Sequence, residues 1–113
     1  MAEEKKDKAK TEQKIQQLQS MEQTLQGLLM QKQQFQSQEL EINSALEEIE
    51  KTDQAYKIVG NVMIFSSKDE LKKDLQEKKE VVTLRLKTIE KQENSLREKS
   101  KAIQSEVMKE LSE

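Results

Sequence analysis

The sequence predicts a mostly α-helical protein in which two long helices form an antiparallel coiled coil joined by a β-hairpin. Three observations support this prediction. Proline is absent and glycine occurs only at Gly27 and Gly60, so little interrupts a helix. Apolar residues recur every seven positions in two long stretches, and a short segment rich in β-branched residues lies between them. The predicted bounds within a single domain of residues 1–113 are about 8–52 for the first helix, 55–66 for the hairpin and 68–111 for the second helix.

Composition alone leaves two alternatives, a disordered chain or long helices. Charged residues make up 37% of the sequence and hydrophobic residues 33%, whereas globular domains average about 25% and 45–50%. Such a chain has too little apolar material to fill a compact core. Disorder, however, gives no reason for a strict seven-residue period. The period therefore favours helices.

The first helix carries its repeat from Leu18 to Ile49. One seam position is apolar in every repeat, and its members are Met21, Leu28, Phe35, Ile42 and Ile49. The companion position is leucine in three of five repeats, with Lys32 and Glu39 in the other two. This pattern keeps one apolar stripe facing a partner helix.

The central segment predicts two short strands and the start of the second helix. Residues 56–65 are seven-tenths apolar, with Gly60 and Asn61 at the midpoint. These two residue types tolerate the positive φ angles that a tight hairpin turn requires. Ser67 and Glu70 then form a Ser-x-x-Glu capping box, which predicts that the second helix begins near residue 68.

The second helix has its own repeat, and the two repeats predict how the helices pair. Its better seam position is apolar at Leu75, Val82, Ile89, Leu96 and Ile103. If the chain folds back symmetrically, facing residues have numbers that add up to about 121. Leu18 then faces Ile103 and Leu46 faces Leu75, while Lys32 faces the apolar Ile89. We expect an antiparallel pair in this register.

Several absences narrow the possible functions. The chain has no His and no Cys, which excludes thiol nucleophiles, imidazole bases, disulfides and the usual zinc sites. It has no Gly-rich phosphate-binding loop, and no carboxylate pair lies where it could be desolvated. We therefore expect no enzymatic activity, no cofactor and no metal.

The charge pattern and the lack of long apolar runs narrow the partners. The 20 basic and 22 acidic residues are mixed along the chain, so no basic face is expected to bind nucleic acid. No apolar run reaches the roughly 18 residues of a membrane span, and the N-terminal residues lack the apolar stretch of a signal peptide. We expect no membrane association.

The hairpin itself predicts assembly. Apolar side chains occupy both faces of its strands: Tyr56, Ile58, Val59, Val62, Met63, Ile64 and Phe65. An isolated two-stranded hairpin is marginal in water and leaves both strand edges unpaired. The sequence therefore predicts that hairpins from several subunits pair edge to edge into a shared sheet or barrel. The alternative is an apolar connector within a monomer.

Three segments together resemble a beta-class prefoldin subunit of the archaeal type: Tyr56–Ile64, the helix start Lys68–Glu70 and the stretch Leu84–Glu93. The resemblance covers nearly the whole chain and is strongest over residues 46–97. A single hairpin points to the beta class, because alpha-class subunits have two hairpins and a longer chain.

The resemblance implies a molecular chaperone with defined partners. Prefoldins are hexamers of two alpha and four beta subunits, in which the hairpins form a double β-barrel and six coiled coils project from it. They bind unfolded client polypeptides without ATP and transfer them to a group II chaperonin in the cytoplasm. These properties are expectations for this chain.

The resemblance also implies that the coiled-coil tips, formed by the two chain ends, bind clients. Flexible methionine suits a surface that accepts many sequences. The candidate client-binding residues are Ile15, Leu18, Met21, Leu25, Ile103, Val107, Met108 and Leu111. The alternative is that they are ordinary seam residues with scattered exposed neighbours. The corresponding alternative function is a structural coiled-coil tether or oligomerisation protein that binds no client.

Overall fold

The computed structural model describes residues 2–112, and the side chains of residues 8–112. Its elements in chain order are helix α1 (Ala2–Glu50), strand β1 (Ala55–Val59), strand β2 (Val62–Ser66) and helix α2 (Lys68–Ser112). The predicted fold class, two long helices with a hairpin between them, is confirmed. Helix α1 begins earlier than the predicted residue 8, because the alanine, glutamate and lysine residues that precede this position are good helix formers.

The connection from α1 to β1 is a local turn that side-chain and backbone hydrogen bonds hold in place. The Lys51 N–H donates to the Glu48 carbonyl oxygen at 3.1 Å, which tightens the last turn of α1. The Thr52 hydroxyl donates to the Gln54 carbonyl oxygen at 3.0 Å and accepts from the Gln54 N–H at 3.3 Å. These local bonds compete with the helical ones, so the helix ends two residues before the predicted position 52.

The hairpin has the two-residue turn that the sequence predicts. The strands pair antiparallel with Tyr56 opposite Phe65 and Val59 opposite Val62. Gly60 has a φ of +63°, whereas Asn61 is not among the residues with positive φ. A positive φ at the first central position alone is typical of a type II′ turn, so only the glycine supplies the special conformation.

Helix α2 begins at a cap that the Ser-x-x-Glu pattern predicts. The Glu70 N–H donates to the Ser67 Oγ at 3.3 Å, and the Leu71 N–H donates to the Ser67 carbonyl oxygen at 3.1 Å. Asp69 and Glu70 lie in the first turn, where the positive end of the helix dipole favours carboxylates. The cap therefore fixes the beginning of α2 at Lys68.

The chain divides into two compact units. One combines the part of α1 up to Gln31 with the part of α2 from Ile89 onward, and the other is Lys32–Thr88 with the hairpin. Each unit has a narrow apolar seam between the two helices. Among the side chains that the structure describes, five apolar ones are buried: Ile49, Ala55, Val82, Ile89 and Val107. A pair of helices buries one stripe on each, so most of the other seam residues are half-buried.

Cross-helix contacts within each unit follow the predicted register. The residue numbers add up to 121 for Thr11 with Glu110, whose side chains are hydrogen-bonded. They add up to 120 for Phe35 and Arg85, where the guanidinium carbon lies 5.6 Å from the ring centroid. In both units the helices therefore run antiparallel.

Candidate functional site

The apolar side chains of the hairpin are exposed in the single chain. All seven residues predicted to mediate assembly are at least half exposed, from 50% for Ile64 to 70% for Ile58. Removing a large apolar side chain from water contributes about 1.5–3 kcal/mol, so covering these side chains would be strongly favourable. Exposed apolar surface of this kind marks interaction sites.

Strand alternation gives the hairpin two distinct faces. The outer face carries two cross-strand pairs, Tyr56 with Phe65 and Ile58 with Met63. The rings of Tyr56 and Phe65 are 5.8 Å apart at an interplanar angle of 77°, an edge-to-face contact that holds the pair together. Four large side chains thus form one continuous apolar surface.

The inner face is turned toward α2. Ala55 on this face is buried, and its partner Ser66 is half-buried. Lys57, also on this face, forms an ion pair with Asp74 of α2, with Nζ 3.8 Å from Oδ2. Toward the turn, however, Val59 and Val62 are more than half exposed. The chain's own helix therefore covers the inner face only near its base.

Both strands also have an unpaired edge. The sheet has two strands, so each of them keeps one row of backbone donors and acceptors without a strand neighbour. Edge pairing with another hairpin would satisfy these groups and cover apolar side chains in the same step.

The structure separates the eight predicted client-binding residues into three groups. Ile15, Met108 and Leu111 are exposed, with exposed fractions of 38%, 72% and 70%. Four are half-buried in the seam: Leu18, Met21, Leu25 and Ile103. Val107 is buried, with 7% of its surface exposed. In this conformation only the first group is available to a partner.

A polar cluster that the apolar repeat did not predict lies next to these residues. The Thr11 hydroxyl donates to Glu110 Oε2 at 2.6 Å, and Thr11 is buried. The Lys14 ammonium donates to Glu110 and lies 3.3 Å from Glu106 Oε2. The predicted register could have found the cluster, because it places Thr11 opposite Glu110.

The cluster shifts the pKa values of Glu110 and Lys14. The hydrogen bond from Lys14, with that from Thr11, lowers the pKa of the Glu110 carboxyl below its ordinary value. The hydrogen bond to Glu110 raises the pKa of the Lys14 ammonium. Both shifts favour the charged forms, so the ion pair holds the two helices together at this end.

The described residues offer little for other chemistry. Within residues 8–112, no three His, Cys, Asp or Glu side chains are grouped closely enough to hold a metal ion. Over the same residues neither helix is apolar enough along its length to cross a membrane. The exposed hairpin and the exposed residues near the chain ends are the candidate sites, and exposed apolar side chains of this kind suit protein partners.

Comparison with known proteins points to one family. Residues 12–113 match the family model described as prefoldin subunit. The prefoldin subunit beta of Pyrobaculum islandicum is 43% identical over 91 residues, which cover 78% of this chain and 73% of the relative. That of Methanospirillum hungatei is 37% identical over 105 residues, covering 90% of this chain and 88% of the relative.

A solved structure agrees with the sequence comparison. The crystal structure of the prefoldin beta subunit from Thermococcus strain KS-1 is similar to this chain with a TM-score of 0.83 and 35% identity. The match covers 88% of this chain and 90% of the solved one.

Proposed function

Because this chain belongs to the prefoldin family as a beta-class subunit, we propose that it holds non-native polypeptides at its coiled-coil tips without ATP and transfers them to a group II chaperonin. Prefoldins are chaperone subunits that assemble with other prefoldin subunits, and the family is not a family of enzymes. A cytoplasmic location is part of the proposal. The observation that carries it is the exposure of Ile15, Met108 and Leu111 near the two chain ends.

The assembly that we propose is a hexamer of four copies of this chain and two alpha-class subunits. Its body would be a β-barrel in which the hairpins pair along their edges. The exposed outer face of Tyr56, Ile58, Met63 and Phe65 supports this, because a closed barrel covers apolar side chains and removes free strand edges. Several tips on one body would bind a client together, so weak contacts add up through effective concentration.

The first experiment is the native mass of this chain alone and after mixing with an alpha-class prefoldin subunit. A single species with four copies of this chain and two of the partner is the expected result. A mass of one or two copies that the partner does not change would contradict the proposed assembly.

A second experiment tests the tips with a matched pair of double variants. Met108→Ser with Leu111→Ser removes exposed side chains near the chain ends. Met30→Ser with Leu40→Ser removes the same residue types at nearly equal exposure, 69% and 70%, from positions on α1 away from the chain ends. We expect only the first variant to lose suppression of light scattering by chemically unfolded lysozyme. Equal activity of the two assembled variants would argue against tip binding.

Hand-over is tested with the assembled complex holding fluorescent unfolded lysozyme. Addition of a group II chaperonin should move the label to the chaperonin peak in size-exclusion chromatography. Loading of the complex itself should be the same with and without ATP. A nucleotide requirement for loading would contradict ATP independence.

A further inference from the structure

The methionines of this chain differ in how far water reaches their side chains. Among the side chains that the structure describes, Met30, Met63 and Met108 are exposed, with exposed fractions of 69%, 65% and 72%. Met21 is half-buried in the seam. The chain has no Cys, so the methionine thioethers are the sulfur groups that a mild oxidant can attack. An oxidant dissolved in water reaches the three exposed thioethers most easily.

Met108 lies on an apolar surface near the chain ends. Leu111, three residues further along α2, is 70% exposed and lies on the same face of the helix, because residues three apart are neighbours on a helix surface. The adjacent Val107 is buried in the seam, with 7% of its surface exposed. A chemical change at Met108 therefore alters the exposed surface and leaves the seam intact.

Oxidation by a peroxide changes the chemical character of this surface. The Met108 sulfur attacks one oxygen of hydrogen peroxide, the O–O bond breaks, an S–O bond forms, and after proton transfer the other oxygen leaves as water. The sulfur loses two electrons and the peroxide gains them. The product is methionine sulfoxide, a polar side chain that methionine sulfoxide reductases convert back to methionine. The modification is therefore reversible.

A sulfoxide at position 108 opposes contact with an apolar client segment. The sulfoxide oxygen gives up its hydrogen bonds to water when an apolar segment covers it, and that segment offers no donor in exchange. If several tips bind one client, the same loss occurs at each oxidised copy of the chain. Oxidation should therefore weaken client binding more than a change at one tip would.

The other exposed methionines differ from Met108 in their position. Met30 is nearly as exposed but lies on α1 away from the chain ends, so its oxidation should leave the tip surface unchanged. Met63 lies on the outer face of the hairpin, which the proposed assembly covers. Assembly should therefore protect the Met63 sulfur and leave that of Met108 accessible.

We propose that Met108 is a reversible oxidation site, at which a peroxide converts the tip surface from a client-holding to a client-releasing form. The inference rests on the client binding in the proposed function and adds a modification that regulates it. Exposure makes the thioether accessible, and the contact of Met108 with the same solvent-exposed face as Leu111 makes its oxidation state matter.

The test uses two variants that each keep one exposed methionine of the described residues. One keeps Met108 and carries Met21→Leu, Met30→Leu and Met63→Leu, and the other keeps Met30 and carries Met21→Leu, Met63→Leu and Met108→Leu. Each chain is treated with hydrogen peroxide, freed of it, and assembled with an unoxidised alpha-class subunit. Peptide mass spectrometry locates the added oxygen atom. Scattering by chemically unfolded lysozyme compares each oxidised complex with the untreated complex of the same chain.

Oxidation should raise the concentration that half-suppresses scattering about tenfold for the chain that keeps Met108, because the sulfoxide opposes burial. Treatment with a methionine sulfoxide reductase should reverse the change. The chain that keeps Met30 should respond little to oxidation. An equal change in both chains, no change despite a sulfoxide at position 108, or no sulfoxide at this position would overturn the proposal.

A substitution gives a measurement that needs no oxidant. Met108→Gln places a polar carbonyl group on a side chain of similar length, so it should weaken suppression of scattering as the sulfoxide does. Met30→Gln is the matched control at nearly equal exposure. If the complex of the unmodified chain does not suppress scattering, the proposed function fails. If it does and Met108→Gln matches it, the oxidation proposal alone fails.

Discussion

At the residue scale, Glu110 connects the two helices near the chain ends. It accepts hydrogen bonds from Thr11 and Lys14 and is only partly exposed. Glu110→Gln removes the charge but keeps the size, so we expect faster amide hydrogen exchange over residues 104–112. Glu98→Gln changes an exposed glutamate outside the cluster and is the control. Equal exchange in the two variants would show that the cluster does not hold the ends together.

The same cluster predicts a pH dependence with a defined sign. The pKa of Glu110 is lowered from its ordinary 4.5, so its stabilising contribution is present above this pH and is lost as the pH falls through the lowered value. The pKa of Lys14 is raised from 10.5, so its contribution is present below this pH and is lost as the pH rises through the raised value. Protection against exchange near the chain ends, relative to the intrinsic rate at each pH, should therefore be steady at neutral pH and fall in acid. Glu110→Gln should remove most of this loss of protection.

Single-residue exposure was only partly predictable from the sequence. The heptad pattern correctly places Val82 and Ile89 in the seam, where both are buried. Val81, one position away from the seam, is 52% exposed in the single chain. The polar cluster at Thr11 has no periodic signal of its own, and only the register of the two helices, which places Thr11 opposite Glu110, indicates it.

At the element scale, the two glycines have different conformations. Their substitution by alanine should therefore change the free energy of unfolding in opposite directions. Gly60 has a φ of +63°, whereas Gly27 lies inside α1, and neither has an atom within 4 Å of an added Cβ. Gly60→Ala should cost about 1–2 kcal/mol from backbone strain alone. Gly27→Ala should stabilise by about 1 kcal/mol through helix propensity. Urea unfolding at one fixed protein concentration measures both, and effects of equal sign would contradict this assignment.

The seam between the helices makes a second prediction at this scale. Ile89 is 5% exposed and Leu84 is 66% exposed on the same helix. Ile89→Ala leaves a gap between the helices and should cost about 2 kcal/mol or more of unfolding free energy. Leu84→Ala should change it by less than about 0.5 kcal/mol. Thermal unfolding at matched concentration is the measurement, and similar midpoints for the two variants would mean that the seam register is different.

Most element positions follow from local sequence rules. The Ser67 cap fixes the beginning of α2, and Gly60 fixes the turn, so the strands and the second helix could be predicted closely. The beginning of α1 could not be predicted closely, because charged residues near a chain end are compatible with both a frayed and a helical conformation. The end of α1 depends on hydrogen bonds of Thr52 that periodicity does not reveal.

At the scale of the whole molecule, the residues proposed for assembly and those proposed for client binding lie in different parts of the chain. The seven hairpin residues proposed for assembly lie in the Lys32–Thr88 unit, and they are Tyr56, Ile58, Val59, Val62, Met63, Ile64 and Phe65. The exposed candidates for client binding, Ile15, Met108 and Leu111, lie in the other unit. Substitutions can therefore impair one activity and leave the other group of side chains intact.

This separation leads to a prediction for the outer face of the hairpin. Ile58→Lys with Met63→Lys places two charges on a surface that assembly would bury, so the complex with an alpha-class subunit should not form. Both side chains are at least 65% exposed in the single chain, so its helical circular dichroism should stay unchanged. Native mass measures the assembly, and Leu40→Lys with Leu84→Lys is the control with equal added charge.

The consequence for chaperone activity depends on the number of tips acting together. The double hairpin variant keeps Ile15, Met108 and Leu111, so each single tip should retain the weak client contact that we propose. Without a shared body the contacts no longer add, and avidity of about 10²–10⁴ should be lost. We expect the concentration that half-suppresses scattering of unfolded lysozyme to rise correspondingly. If the unassembled variant suppresses scattering as well as the assembled complex does, one tip is sufficient and the body does not contribute to client binding.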